Sequence, residues 1–387
     1  MSELERLIQE HCPNGVNYVA VGELVKSKII QTITPTFKVK RNDYKESGST
    51  PIISQEAEFI SGYCDVVDEN ILDGKYVCFG DHSEHIKYVD FSFVQGADGL
   101  KIMCTDESVL LPRYLYHSAS AFYKRHNNYE RHFKYFGDTV IPVPPLEVQR
   151  EIVRILDNFT ELTAELTAEL AARKQQYQYY LNCFFETQTD NLVPLESIGT
   201  LTRGKRFVHA DATDTGVPCI HYGELYTYYG VHASAVKSHI REDLRLKMRY
   251  AHKGDVIIVG AGENNIDIGV GVAWEGNEDV AVHDACYTLK HSQNSKYISY
   301  YLRSDMYHSQ IKKYVSEGKI CSISAAGLGK AMIPIPSLSE QQRIVSILER
   351  FDVLCNDITT GLPAEIEARQ KQYEYYRDKL LTFKEAV

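Results

Sequence analysis

Several clusters of side chains in the first 140 residues have the chemistry of nucleic-acid contact. They are Lys38, Lys40 and Arg41, then Gln55, then His82 with Ser83, and finally the run KRHNNYERHFKY from Lys124 to Tyr135. The run is the sharpest of these. Lys124, Arg125 and Arg131 alternate there with Asn127, Asn128, two histidines and the rings of Tyr129, Phe133 and Tyr135. Lysine and arginine neutralise phosphates, while Arg, Asn and Gln match guanine or adenine edges bidentately. A second set lies beyond residue 200: Arg203, Lys205 and Arg206, then His221, Tyr222 and Glu224, then Asn264 and Asn265, and Lys319 beside Glu317. Any one of these side chains suits a solvated loop equally well; it is the clusters that fit a duplex. The basic stretch Lys237–Lys253 holds Arg241, Arg245, Lys247 and Arg249 as well. Its apolar residues Ile240, Leu244, Leu246 and Met248 suggest a part-helical, exposed face.

No catalytic pattern accompanies these clusters. Pro144-Pro145 lacks the preceding Asn or Asp and the following aromatic residue with which an amino-methyltransferase holds a flipped base. Gly260 and Gly262 are followed by Asn265 where a dinucleotide loop needs its third glycine, so they read as a turn. No phosphate-loop lysine motif is present. Glu317-Gly318-Lys319 has no Pro-Asp close before it, as a nuclease centre would. His82 and His85 have no further ligands at zinc spacing. No metal site or cofactor site is expected in this chain.

Net charge is −10 over 387 residues, which at first argues against a polyanionic partner. The distribution removes that objection. Residues 16–144 carry −3 (14 basic, 17 acidic) and residues 192–336 carry +1 (16 basic, 15 acidic), while 145–191 alone carry −4 (4 basic, 8 acidic). A local basic patch is compatible with such a balance. The hydrophobic fraction of 44% and charged fraction of 24% are those of a folded chain of two or three domains. No apolar run approaches the ~20 residues of a membrane span. Met1–Pro13 reads as an amphipathic helix without the features of a signal peptide. Nine cysteines without a C-x-x-C suggest reduced thiols and a cytoplasmic protein.

What must position the clusters is a repeat. IPVPPLEVQREIVRILDNF (Ile141–Phe159) and IPIPSLSEQQRIVSILERF (Ile333–Phe351) agree at ten of nineteen positions, 192 residues apart. ARKQQYQYY (Ala172–Tyr180) and ARQKQYEYY (Ala368–Tyr376) agree at six of nine, now 196 apart, so TGLP (Thr360–Pro363) supplies four extra residues. Both copies have helical period. Ile152, Ile155, Phe159, Leu162, Leu166 and Leu170 mark the first; Ile344, Ile347, Phe351, Leu354, Ile358 and Leu362 mark the second. Proline precedes each (Pro144, Pro336), and Ser339 with Gln342 forms a candidate capping box. A helix over Leu146–Phe184 would be roughly 58 Å long, so it needs a partner along its length, and the other copy is at hand. Gly361 and Pro363 predict a break midway through the second copy. The intervening segments read as mixed α/β, with strands at PIIS, YVCFG and GLKIM and at VPCIHY, DVIIVG and YTLKH. They share little beyond Pro51 with Pro218 and Phe79-Gly80 with Val259-Gly260. At the 192 offset, Asn127 and Lys319 fall at equivalent places.

The P-x-P-x-L…Q-x-x-I-V-x-I-L helix repeated after each globular segment resembles the specificity subunit of type I restriction-modification systems. The TAEL-TAEL tandem (Thr163–Leu170), LPAEIEARQKQYEYYRDKLL (Leu362–Leu381) and the opening LIQEHCPNGV (Leu7–Val16) are similar to its type IC branch. The resemblance spans essentially the whole chain. It implies an α+β chain with an N-terminal helical segment (1–15), target recognition domains at 16–144 and 192–336, and helical regions at 145–191 and 337–387 that form an antiparallel coiled coil. It further implies that each domain reads half of a bipartite site in double-stranded DNA and that the helices dock two methyltransferase subunits. Restriction subunits would join the full complex. Catalysis, S-adenosylmethionine, ATP and magnesium would belong to those partners. Two other readings stay open on the residues alone: a nuclease or methyltransferase with an unrecognised centre, and a coiled-coil scaffold.

Overall fold

The computed structural model describes residues 2–65, 70–187, 191–357 and 359–386. Two compact units make up the chain: Met1–Thr167 with Glu365–Val387, and Ala168–Ala364. Ile358, one of the positions counted in the second helical period, lies outside the described residues.

The first unit opens on α1 (Glu3–His11), where Ser2 Oγ accepts from Glu5 N–H at 3.2 Å and Ser2 N–H donates to the Glu5 carboxylate at 2.7 Å. This reciprocal cap satisfies two otherwise orphaned donors. There follow β1 (Tyr18–Ala20), α2 (Val21–Lys26), β2 (Ile30–Ile33), β3 (Thr50–Ile53), β4 (Gly62–Cys64), β5 (Tyr76–Gly80), β6 (Ile86–Val89), β7 (Val94–Gln95) and β8 (Leu100–Thr105). After them come α3 (Pro112–Phe122), α4 (Phe133–Gly137), β9 (Val140–Pro142) and the long α5 (Leu146–Glu186). Strands form one sheet in the order β2-β8-β5-β6 and a second in the order β4-β3-β7, with β3 and β7 parallel. β5 is buried along its whole length, which its unbroken apolar sequence YVCFG requires.

The second unit repeats this plan. Its elements are β10 (Leu192–Pro194), α6 (Leu195–Ile198), β11 (Gly199–Arg203), β12 (Ala212–Thr213), β13 (Val217–Ile220), α7 (Glu224–Thr227), β14 (His232–Ala233), β15 (Ser238–Ile240) and β16 (Tyr250–Ala251). Then come β17 (Val256–Val259), β18 (Ala261–Gly262), β19 (Gly271–Trp274), β20 (Val280–Val282), β21 (Cys286–His291), α8 (Ser295–Tyr301), α9 (Asp305–Ile311), β22 (Cys321–Ser322), α10 (Ala325–Gly329) and β23 (Met332–Pro334). The order β11-β21-β17-β19-β14 matches the first unit's β2-β8-β5-β6 with one strand added. The order β12-β15-β13-β20-β16 contains the first unit's β4-β3-β7, again with its parallel pair. Pro51 and Pro218 sit at the same place in β3 and β13; Gly80 closes β5, and Gly260 directly follows β17. The globular segments are therefore duplicates whose sequences have drifted.

Three sequence expectations need correcting in detail. The Lys237–Lys253 stretch is not an α-helix but strand, 3-10 turn (Glu242–Lys247) and strand, because Ile240 is needed as a buried position in β15 while Leu246 is left 98% exposed. Ala261-Gly262 is not a free turn but β18, paired with β22. The second helical region starts on Ser337, whose hydroxyl accepts from Glu340 N–H at 3.3 Å, rather than on Ser339.

That region is α11 (Leu338–Asn356) and α12 (Leu362–Leu380), with the break at the predicted place. A Cβ at Gly361 would lie only 2.4 Å from the Val353 carbonyl, so only glycine lets the chain turn there. In the second unit α5 runs antiparallel to α11: Tyr180 packs against Phe351 at 5.4 Å, the rings tilted by 30°, while Phe184, further along α5, meets Arg343, further back on α11. In the first unit Phe159 of α5 stacks on Tyr376 of α12, also at 5.4 Å. Phe159 and Phe351 are repeat equivalents, as are Tyr180 and Tyr376. Each aromatic contact, stabilising by about 0.5–1.5 kcal/mol, is thus made once per unit by residues of opposite copies. No described helix is long and apolar enough to cross a membrane, and all nine cysteines are free.

Candidate nucleic-acid interface

In the first unit four loops meet where strands end: residues 54–56 after β3, 81–85 after β5, 96–99 between β7 and β8, and 123–132 after α3. Gln55 ties three of them. Its Oε1 accepts from His82 N–H at 3.2 Å, its Nε2 donates to the Asp98 carbonyl at 3.3 Å, and its own carbonyl takes the Ser83 hydroxyl. The approach is close enough that Gly99, at φ +101°, would drive a Cβ to 2.6 Å from Gln55 Oε1. His82 completes the link: Nδ1 lies 3.0 Å from the Glu130 carbonyl, and the ring stacks on Tyr129 at 5.2 Å. The sequence-picked residues of this half are therefore gathered at one place.

They divide by what their side chains do. Gln55, Ser83 and Asn128 spend their polar atoms inside the protein, and Asn127, at φ +55°, contributes the backbone N–H that makes the turn. The rim is cationic. Lys38 pairs with Asp98 at 2.6 Å, Arg41 with Glu56 at 3.0 Å, and Arg125 lies 3.1 Å from His85. Lys40, Lys124 and Arg131 are exposed and make no ion pair among the described residues. Tyr129 is the most exposed ring of the cluster, at 89%. Ion pairs on such a surface contribute little to stability and exchange readily for phosphates.

Sequence reasoning missed the residue at the centre. Glu84 is 3% exposed and accepts from the Tyr123 hydroxyl at 2.6 Å, His126 N–H at 2.8 Å and Asn127 N–H at 2.8 Å. Burial raises its pKa, but these donors outweigh burial and hold it at about 2. His126 and the buried His132 stand beside it, the three ligand atoms within 4.8 Å of one another. By contrast, His82 and His85 belong to no such group among the described residues.

The second unit builds the matching edge from 220–224, 261–267, 283–285 and 316–322. Arg203 Nε donates to the Asp284 carbonyl at 2.7 Å, while Lys205 and Arg206 are exposed. His221 packs on Tyr222 at 4.5 Å and on His283 at 4.6 Å, with Phe207 against His283 at 4.9 Å. Burial lowers the pKa of both His221 and His283, favouring neutral rings that hydrogen-bond rather than pair with phosphate. Glu224 accepts from His221 N–H at 3.0 Å and from the Ser238 hydroxyl, so it holds the loop. Asn265 donates to Glu317 at 3.3 Å, Asn264 lies 3.5 Å from Asp267, and Lys319 is exposed.

Both edges rest on one repeated clamp, also missed. Gln149 is fully buried: Oε1 accepts from Leu111 N–H at 2.9 Å, and Nε2 donates to the carbonyls of Val109 at 2.8 Å and Pro144 at 2.7 Å. Its equivalent Gln341 takes Asn294 N–H at 3.0 Å and donates to Pro336 O at 2.9 Å. Tyr114 OH to Pro142 O (3.2 Å) recurs as Tyr297 OH to Pro334 O (2.9 Å), and Arg113–Asp157 (2.7 Å) as Lys296–Glu349 (2.6 Å). Identity of Gln149 and Gln341 in both copies was the available signal.

Residues 13–173 and 191–368 match the type I restriction modification DNA specificity domain. The chain is 30% identical to the EcoR124I/EcoR124II specificity subunit of Escherichia coli over 99% of this chain and 97% of that one. Its fold is shared with a chain solved in a study of complex assembly and conformational transition of the type I R-M system (TM-score 0.58, 16% identity, 96% and 98% covered). It is shared as well with the type I S subunit from M. genitalium (TM-score 0.53, 13% identity, 95% and 96% covered). With two such domains, a repeated helical frame and relatives matched end to end, this chain belongs to the specificity subunits of type I restriction-modification systems.

Proposed function

We propose that this subunit directs methylation and restriction to a bipartite site in double-stranded DNA, domain 16–144 reading one half and domain 192–336 the other. The observation that carries this reading is the duplicated loop edge. Two domains of one plan present different side chains, Lys124–Arg131 in one and His221–Glu224 with Lys319 in the other, on a frame whose clamps are the same. A frame held constant while its reading surfaces diverge suits two unlike half-sites.

The helical regions 145–191 and 337–387 dock two methyltransferase subunits, and restriction subunits join through that assembly. Support comes from Tyr179 and Tyr375, equivalent residues left 66% and 62% exposed, each set edge-on to a neighbour (Tyr180 at 5.5 Å, Tyr376 at 5.3 Å). Exposed aromatics kept in both copies while contributing little to either core fit two copies of one partner. S-adenosylmethionine, ATP and magnesium are left to the partners. Co-expression with the cognate methyltransferase subunit, followed by mapping of methylated adenines, tests the proposal. Two half-motifs separated by a non-specific spacer are expected; an uninterrupted motif, or methylation by this chain alone, refutes it.

A further inference from the structure

The loop following α3 closes over Glu84, and the buried His132 beside it meets an oxygen at each ring nitrogen. A carboxylate offers about four lone-pair sites. Tyr123 OH, Asn127 N–H and His126 N–H, the last shared between both oxygens at 2.8 and 3.1 Å, place two contacts on each oxygen. Two imidazoles stand beside it, His126 Nδ1 3.5 Å from Oε2 and His132 Nε2 3.8 Å from Oε1.

His132 is fully buried, and its Nδ1 lies 3.1 Å from the Asp81 carbonyl. That carbonyl needs a protonated Nδ1, which leaves a bare lone pair on Nε2 of a neutral ring. Yet Nε2 points only at oxygens: Asn128 Oδ1 at 2.7 Å, Glu84 at 3.8 Å and Glu130 at 3.9 Å. The Asn128 amide is held in that orientation by its own Nδ2–H bond to Glu130 at 3.0 Å. A lone pair aimed at oxygens calls for a positive centre between them, either a second ring proton or a metal ion.

We propose that Glu84, His126 and His132 bind one divalent transition-metal ion of the zinc class, with Glu130 as the nearest further donor. Two imidazoles and a carboxylate suit zinc, cobalt or nickel and not magnesium or calcium. An ion with bonds of about 2.0–2.1 Å holds its tetrahedral ligand atoms roughly 3.3–3.4 Å apart. Each imidazole stands near that spacing from one oxygen of Glu84, His126 Nδ1 at 3.5 Å from Oε2 and His132 Nε2 at 3.8 Å from Oε1, and His126, whose side chain is 37% exposed, can swing to bring them onto one ion. The Nδ1–H bond of His132 to a backbone carbonyl is the outer contact that metal-bound histidines usually make. Bound metal would pin the 124–132 loop to the end of β5 and fix Lys124, Arg125 and Arg131 before DNA arrives. The effect is confined to the first recognition domain, since no other group of this kind occurs among the described residues.

The test is calorimetric titration of metal-free, untagged full-length chain with zinc chloride, repeated with cobalt(II) followed by visible absorption. His126→Ala and Glu84→Gln are compared with the wild type, circular dichroism confirming that each is folded. One equivalent should bind, with affinity reduced at least tenfold in His126→Ala and the tetrahedral cobalt bands lost. The proposal is overturned if folded wild-type protein takes up no stoichiometric zinc, or if folded His126→Ala binds it equally well.

Discussion

Replacing Gln149 by alanine probes how the frame holds a reading surface. The helix α3 begins at Pro112, and Leu111, at its N-cap, offers no side-chain cap. Gln149, reaching across from α5, supplies the missing acceptor to Leu111 N–H and satisfies two carbonyls besides. Truncation strands three backbone groups, at about 1–3 kcal/mol each if the space stays dry, and water entering the gap recovers part. A net loss of about 3 kcal/mol follows. For a unit of about 190 residues (Met1–Thr167 with Glu365–Val387) that is a fall of roughly 6–12 °C in its unfolding midpoint.

The local readout is hydrogen exchange. Three kcal/mol corresponds to roughly a hundredfold faster exchange of the Leu111 amide, at 1.4 kcal/mol per tenfold. Gln149→Glu separates the parts of the argument: it keeps an acceptor for Leu111 but turns an anionic oxygen on Val109 and Pro144, so it should destabilise as much as alanine. Gln341→Ala should cost less, because Asn294 caps α8 itself by accepting from Tyr297 N–H at 3.1 Å. A Gln149→Ala midpoint within about 3 °C of wild type, or equal losses from Gln149→Ala and Gln341→Ala, would refute the reasoning.

Further outcomes follow from the same geometry. Arg125→Ala with Arg131→Ala should weaken binding through the first half-site and leave base preference at the second unchanged, at about 1–3 kcal/mol per base contact, with phosphate contacts instead lowering the salt slope in DNA titrations. Tyr179→Ala and Tyr375→Ala should each release one methyltransferase subunit, and the double variant both, as counted by native mass spectrometry; retention of two subunits by the double variant would contradict docking there. Burial lowers the pKa of His117 although Asp157 opposes it, so the unfolded chain takes up a proton near pH 6.5 and the folded chain only below that. Stability of the first unit should therefore be complete above about pH 6.5 and fall with acidification at up to about 1.4 kcal/mol per pH unit from this group, a slope that His117→Gln removes in urea titrations. A third Thr-Ala-Glu-Leu unit inserted after Leu170 advances the helix by about 6 Å with a net turn of roughly 40°, against about 3.4 Å and 35° per base pair. The methylated motif should keep its half-sites and gain one or two spacer base pairs; an unchanged spacer in an active variant would deny the helices that role.

The parts of this molecule readable in advance are those made by periodic, local rules. The apolar stripe from Ile152 to Leu170, the break at Gly361 and the buried strand YVCFG all follow from spacing or a single residue's constraint. The loop clusters were also visible, because Lys, Arg, Asn and His crowd together between Lys124 and His132. Glu84 was not visible. It is one acidic residue among many, and its importance comes from three donors some 40 residues downstream that only the fold brings within 3 Å. The same is true of His132, a buried ring in a run that reads as uniformly exposed. The helical reading of Lys237–Lys253 failed because a hydrophobic residue every few positions satisfies a strand and a 3-10 turn as well as a helix.

The repeat explains why some of these features survived and others drifted. Gln149 and Gln341, and Arg113–Asp157 and Lys296–Glu349, join a globular segment to its helix, and Tyr114 and Tyr297 hold the strand that leads into it; these bonds recur although strand sequences around them share almost nothing. On the proposed reading, a change at a junction would misplace a whole recognition surface, whereas a change at a loop tip would alter a single contact. A substitution at His221 or Arg131 therefore perturbs one loop, while loss of the glutamine that holds Leu111 N–H perturbs the start of α3 and the loops joined to it.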